Sequence, residues 1–256
     1  MRKFFQILLA AVLVSLTALT SAANFDGEEY IEAEGVVYPE GQKNLNNLRR
    51  IAIMDAYRYL SERVNDLHVS SNSTVKNLRD LDEEINTKVE GVLRGAEVVS
   101  VNRAKDGSFH AIVRLYMHGA AGSLASAVLK EDIQIEDFPP PKFTPIVSTN
   151  YSGLIIDCRG KNLAAAITPA IKSADGTEIF SYKNIGYQAA VKQSVVDYST
   201  NINSGVERAG DSPLIVKAVS VSGDCDVVVS VADADKILAA NRSTHFLNNC
   251  AVVLMR

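Results

Sequence analysis

From residue 30 the chain alternates. Ile31, Ala33, Gly35 and Val37 are separated by Glu32, Glu34 and Val36, the period-two pattern of a strand with one buried face. The period then lengthens. Between about Gly41 and Val64, Leu45, Leu48, Ala52, Ala56, Leu60 and Val64 fall three or four apart, which predicts a helix with one apolar stripe. Leu67 and Val69 flank His68, so an extended segment is expected to begin within Asp66 to Val69. A second helix is predicted from about Lys76 to Leu93. Its stripe is Leu78, Leu81, Ile85, Val89 and Val92, with Asp80, Asp82, Glu83 and Glu84 largely opposite. Two strands follow, Ala96 to Asn102 and Ser108 to Met117, around the turn sequence Lys105-Asp106-Gly107. Asp-Gly accepts the positive φ that a tight hairpin demands. Phe109, Ala111, Val113 and Leu115 share one face of the second strand, and a short helix is expected within Leu124 to Ile133.

Pro139-Pro140-Pro141, with Pro145 close behind, cannot continue a helix or an interior strand and favours extended polyproline II. The stretch reads as a semi-rigid linker. Beyond it, Tyr151 to Gly160 reads as a short buried-looking strand that ends in polar residues. Segments Ala170 to Lys172 and Glu178 to Tyr182 form a hairpin around Asp175-Gly176, and Ala189 to Tyr198 is a helical candidate. Leu214 to Val221 and Val227 to Val231 are β-branched strand candidates. Asp233 to Asn241 reads as a helix and Cys250 to Leu254 as a final strand. The expected fold class is α+β in two small domains. The first has two helices packed on an antiparallel sheet, and the second is a mixed α/β domain. The expected boundaries are 24–137, a linker at 138–149, and 150–256.

The first residues change the picture of where this happens. Arg2-Lys3, the apolar run Phe4 to Leu19 and the small residues Thr20-Ser21-Ala22-Ala23 have the three parts of a secretory signal peptide. It occupies 1–23, with cleavage between Ala23 and Asn24. No Cys follows the apolar run, the first being Cys158, so a periplasmic or secreted protein without a lipid anchor is expected. Nothing later is long and apolar enough to span a bilayer. Loss of Arg2 and Lys3 takes the balance from 26 basic and 30 acidic residues to 24 and 30, a net charge of −6. That argues against a nucleic-acid partner, which needs clustered Lys and Arg. Arg49-Arg50 is the densest basic spot and reads as a solvated helix face. In an oxidising compartment Cys158, Cys225 and Cys250 allow one disulfide with one thiol left over, or burial as small apolar residues.

Candidate chemistry is sparse. His68, His110, His118 and His245 have no metal-ligand spacing, and no metal or cofactor is expected. Cys158 between Asp157 and Arg159, with His245 as base, is the one nucleophile arrangement to weigh. No G-x-S-x-G elbow, P-loop or dinucleotide fingerprint is present, so no catalytic residue is assigned. The pairs Asp224/Asp226 and Asp233/Asp235 do not fit a calcium loop. Asp233 reads as a residue near a helix start, where a carboxylate meets free amides.

Arg50-x-Ala52-x-x-Asp55-Ala56-x-Arg58-x-Leu60, then Val69, Thr74-Val75, Val92-x-x-Gly95-Ala96 and Asp106-Gly107, resemble two related families. One is the envelope family typified by a twenty-kilodalton outer-membrane lipoprotein. The other is the N-terminal domain of the flagellar protein FlgT. The resemblance covers about residues 28–118. Tyr151-Ser-Gly-Leu-Ile-Ile-Asp157-x-Arg159-Gly160 is similar to a segment that follows such domains in some diderm envelope proteins. The resemblance implies a non-catalytic envelope protein that binds or assembles with other envelope proteins, with a flagellar association as one form of that role. Two other classes stay open: an exported enzyme acting on wall or surface polymers, and a periplasmic small-ligand carrier, for which a pocket lined by both domains would speak.

Overall fold

The computed structural model describes residues 29–39, 44–119, 121–143, 145, 149–201 and 207–256. The leader and the Ala23/Asn24 cleavage site lie outside the described residues. The chain folds as α+β, as expected. Strand β1 (Tyr30–Val37) pairs antiparallel with β5 (Phe109–Tyr116), which pairs with β4 (Glu97–Arg103), in the order β1-β5-β4. Helix α1 (Leu45–Asn65) starts at Asn44, whose side chain accepts from the amides of Asn46 and Asn47. It lays Leu48, Ala52, Ala56, Leu60 and Val64 on the sheet, all fully or almost fully buried, while Leu45 is exposed.

The alanines have a geometric reason. A Cβ on Gly35 of β1 would lie 2.1 Å from the Ala52 carbonyl oxygen and 2.4 Å from the Ala56 nitrogen. Helix backbone and strand backbone are in direct contact, and only Gly facing Ala permits it. The opposite face of the sheet is polar and self-paired. Arg114 binds Glu32 and lies 3.9 Å from the Tyr30 ring centroid. Arg63 of α1 donates to the Glu32 carbonyl.

The predicted second helix is two. Helix α2 (Val75–Leu81) ends and α3 (Glu83–Arg94) begins at Asp82, which is extended (φ −138°, ψ 108°) and caps the amides of Glu84 and Ile85. The Asp side chain offers the backbone a competing set of hydrogen bonds. In consequence Leu81, placed by periodicity in the stripe, is 85% exposed. A small hairpin of β2 (His68–Ser70) and β3 (Ser73–Thr74) precedes α2. The predicted short helix is α4 (Leu124–Val128).

The second half holds two four-stranded sheets. One is wholly parallel, in the order β10 (Pro213–Lys217), β6 (Gly153–Asp157), β13 (Val252–Met255), β9 (Asp197–Ser199). Its inner strands are buried on both faces and read as continuous apolar runs. The other is β11 (Ser220–Ser222), β12 (Asp226–Val229), β7 (Ile171–Ser173), β8 (Glu178–Phe180), with β7 and β8 forming the predicted hairpin. The run Leu214 to Val221 thus divides between two sheets. Helix α5 (Tyr182–Gln193) starts earlier than predicted, because Ser181 and Asn184 form a capping box, and it has a non-helical residue at Gly186. Tyr198, the end of that helical candidate, lies in β9, and its hydroxyl binds the backbone of Ala166. Helix α6 (Val231–Thr244) is capped by Ser230, and Asp233 completes that cap from the first turn.

The proline segment is fastened down along its described part. Asp235, buried in α6, accepts the backbone amides of Lys142 and Phe143 at 2.6 and 3.1 Å. Lys142 also pairs with Asp175, and Phe138 stacks on Phe180. The halves meet directly as well. His68 pairs with Ala166 in a parallel bridge, Ile167 donates to the His68 carbonyl, and Thr168 donates twice to the Val69 carbonyl. One apolar cluster runs from Ile31 to Leu254 through both halves. Gly35→Ala should lower unfolding free energy by about 3 kcal/mol, because the added methyl meets backbone that cannot rotate away. Urea denaturation of the variant beside the parent checks this.

Candidate functional site

Where β5 leaves the first sheet, the chain runs onto the end of α5. The last turn of a helix has carbonyls without helical partners, and here side chains and main chain from elsewhere supply the donors. His118 Nδ1 donates to the Ala190 carbonyl at 3.1 Å, and the Gly119 amide donates to Val191 at 2.8 Å. Arg208 donates Nη1 to the Gln193 carbonyl, Nη2 to Ser194 and Nε to Cys250, at 2.5, 3.0 and 2.7 Å. A cation at the negative end of a helix is favourable.

These contacts wall a cleft of about 630 Å³. The first half contributes Glu29, Tyr116, His118, Gly119, Ala121, Gly122 and Ser123; the second contributes Lys192, Gln193, Ser194, Asp197 and Arg208. Burial pulls His118 down to about 4, aided by the Arg208 charge. The ring is neutral at neutral pH. A carbonyl only accepts, so Nδ1 carries the proton and Nε2 is left as an acceptor. Burial also raises the Asp197 carboxyl and lowers the Arg208 guanidinium, each opposed by the other's charge. Asp197 takes one hydrogen bond, from the Tyr198 amide.

The sequence-derived nucleophile is not assembled. Cys158 is fully buried in the apolar core, burial pushes its thiol up to about 12, and the thiol makes a long 3.6 Å bond to the Ile156 carbonyl. Arg159 faces away, forked onto Asp157 at 2.8 Å on both oxygens, which draws that carboxyl down to about 2. His245 closes α6 in a left-handed conformation (φ 54°). Cys158, Cys225 and Cys250 are all free and buried, so the alternative of small apolar burial describes them and no pair is bridged. No cluster of three metal-binding side chains occurs among the described residues.

One constellation escaped the reading of the sequence. Glu34 Oε1 lies 2.7 Å from His110 Nδ1, and His110 Nε2 lies 3.0 Å from Ser108 Oγ. The order resembles a hydrolytic triad, but Ser108 is fully buried and its hydroxyl donates to Asp106 at 2.6 Å. The chain of bonds ties the hairpin turn to β1. Its trace in the sequence is the alternation Asp106-x-Ser108-x-His110.

With the fold in view, the comparisons fall on its elements. Residues 19–116 match the LPP20 lipoprotein family. The first domain is thus similar to the LPP20 lipoprotein family. Residues 153–256 match the second domain of Treponema pallidum Tp0624. No curated protein matches the chain. The LPP20 match ends on the last residue of β5, and the second begins on the first residue of β6. His118, the cleft residues Gly119, Ala121, Gly122 and Ser123, and the strap over Asp235 lie between the two matched segments.

Together the two matches follow the two-domain layout of the fold, with an LPP20-like first half and a second half similar to the Tp0624 second domain. No described helix is long and apolar enough to cross a membrane. A pH dependence follows from His118. Its folded value lies below its ordinary 6.5, so the unfolded chain takes up the proton first and stability falls as pH drops from about 6.5 towards 4. Between pH 7 and pH 5 the loss should be about 2 kcal/mol. It should be absent in His118→Asn, whose amide can still donate to Ala190; urea midpoints at both pH values measure the difference.

Proposed function

We propose that this protein is an exported, non-catalytic module of the cell envelope that acts in the periplasm, without a lipid anchor, by binding another envelope protein. The LPP20 family supports the compartment, and the signal-like leader with its first Cys at Cys158 supports release. The observation that carries a binding role is β4. It is the edge of its sheet, with Val98 and Val99 each 40% exposed. An uncovered edge with apolar side chains suits a partner that adds an extended strand. The register shift between Val98 and Ser100 confines regular pairing to the part of the strand beyond it.

A second reading is favoured by the cleft. A pocket of about 630 Å³ lined by both domains is of the size that small ligands occupy, which suits a periplasmic carrier. The binding role is tested by affinity capture of the tagged chain from envelope fractions. One specific protein partner should be recovered with the parent and lost with Val99→Lys, while the thermal midpoint stays unchanged. Recovery of no specific partner, with normal envelope assembly in a deletion strain, contradicts the role.

A further inference from the structure

Asp197 and Arg208 both line the cleft, each at the edge of the second domain, and each feels the other's charge. They do not bind one another. Arg208 gives three N–H groups to the carbonyls of Gln193, Ser194 and Cys250, and a guanidinium has five. Among the described residues two of its N–H groups therefore have no acceptor, on a lining cation whose plane is fixed by three main-chain bonds. Asp197 receives the Tyr198 amide on Oδ1, and among the described residues no donor meets Oδ2. A carboxylate and a guanidinium that line one cleft and are not paired with each other can each take a ligand group of opposite charge.

The rest of the wall repeats the pairing. Glu29 lies on the Asp197 side, close enough to act on its titration, and Lys192 supplies a second cation. His118 adds a neutral acceptor, Nε2, because Nδ1 is committed to Ala190. A simple anion would answer Arg208 and Lys192 and leave Asp197 and Glu29 opposed. A simple cation would do the reverse. A molecule with both charges answers both.

We propose that the cleft binds a small zwitterion of the α-amino-acid type, its ammonium on Asp197 and Glu29 and its carboxylate on Arg208 and Lys192. This rests on the carrier reading and gives it a ligand class. The same two groups are presented by a free amino acid and by the ends of a short peptide, and a cleft of this volume admits either.

The test is calorimetric titration of the full exported chain with L-alanine, L-alanyl-L-alanine, N-acetyl-L-alanine and L-alaninamide. Either the amino acid or the dipeptide should bind, and which of them does so identifies the source. The acetylated and amidated probes, each lacking one charge, should bind at least ten-fold more weakly. Asp197→Asn, which still accepts the Tyr198 amide, should lose at least ten-fold for the same ligand. Glu29→Gln, at an exposed position outside the Arg208 anchorage, should weaken it several-fold. Equal binding of the blocked probes, or an unaffected Asp197→Asn, overturns the proposal. Native mass spectrometry of protein taken from the envelope separates the two levels. A co-purified small molecule lacking either charge overturns the zwitterion class and leaves the carrier reading standing. No co-purified molecule and no titration signal overturn both.

Discussion

The cleft depends on the seam between the two halves, at which main-chain hydrogen bonds join one to the other. His68 and Val69 pair with the 166–168 segment as strand residues pair, so the LPP20-like domain continues into the second domain through backbone. Backbone groups buried at such a seam must find partners, which ties each half's geometry to the other's. The end of α5 extends the seam. Its last carbonyls are filled by His118 and Gly119 from one side and Arg208 from the other, and the cleft is the space those donors frame.

Much of the fold was legible because it rests on period and size. The α1 stripe and the alternation of β5 declared their buried faces, and Ala52 and Ala56 marked a close approach whose counterpart is Gly35. Two of the misreadings share one cause. At Asp82 and Ser181 a side chain captures backbone amides, a local bond that moves a helix end against the apolar period. Tyr198 was drawn into a helix by its neighbours, whereas its burial and its hydroxyl bonds to Ala166 belong to a strand.

The site was much less legible than the fold. The sequence singled out Cys158 and Arg159 because a thiol beside a cation has known chemistry. Folding buries the thiol and gives the Arg to Asp157. The groups that share a cleft, Glu29, His118, Asp197 and Arg208, are spread over most of the chain with no common spacing. Their relation arises only when α5, β5 and β9 meet. A feature that could have pointed to the junction is the proline segment. Read as a spacer, it is instead bound across a buried carboxylate, Asp235, which fits a chain whose halves are held together.

The claim that these halves form one body is tested most directly by differential scanning calorimetry of the full chain at neutral pH. A single transition is expected, with calorimetric and van't Hoff enthalpies in agreement, as for one cooperative unit. Two resolved transitions, each with the enthalpy of about half the chain, would contradict it.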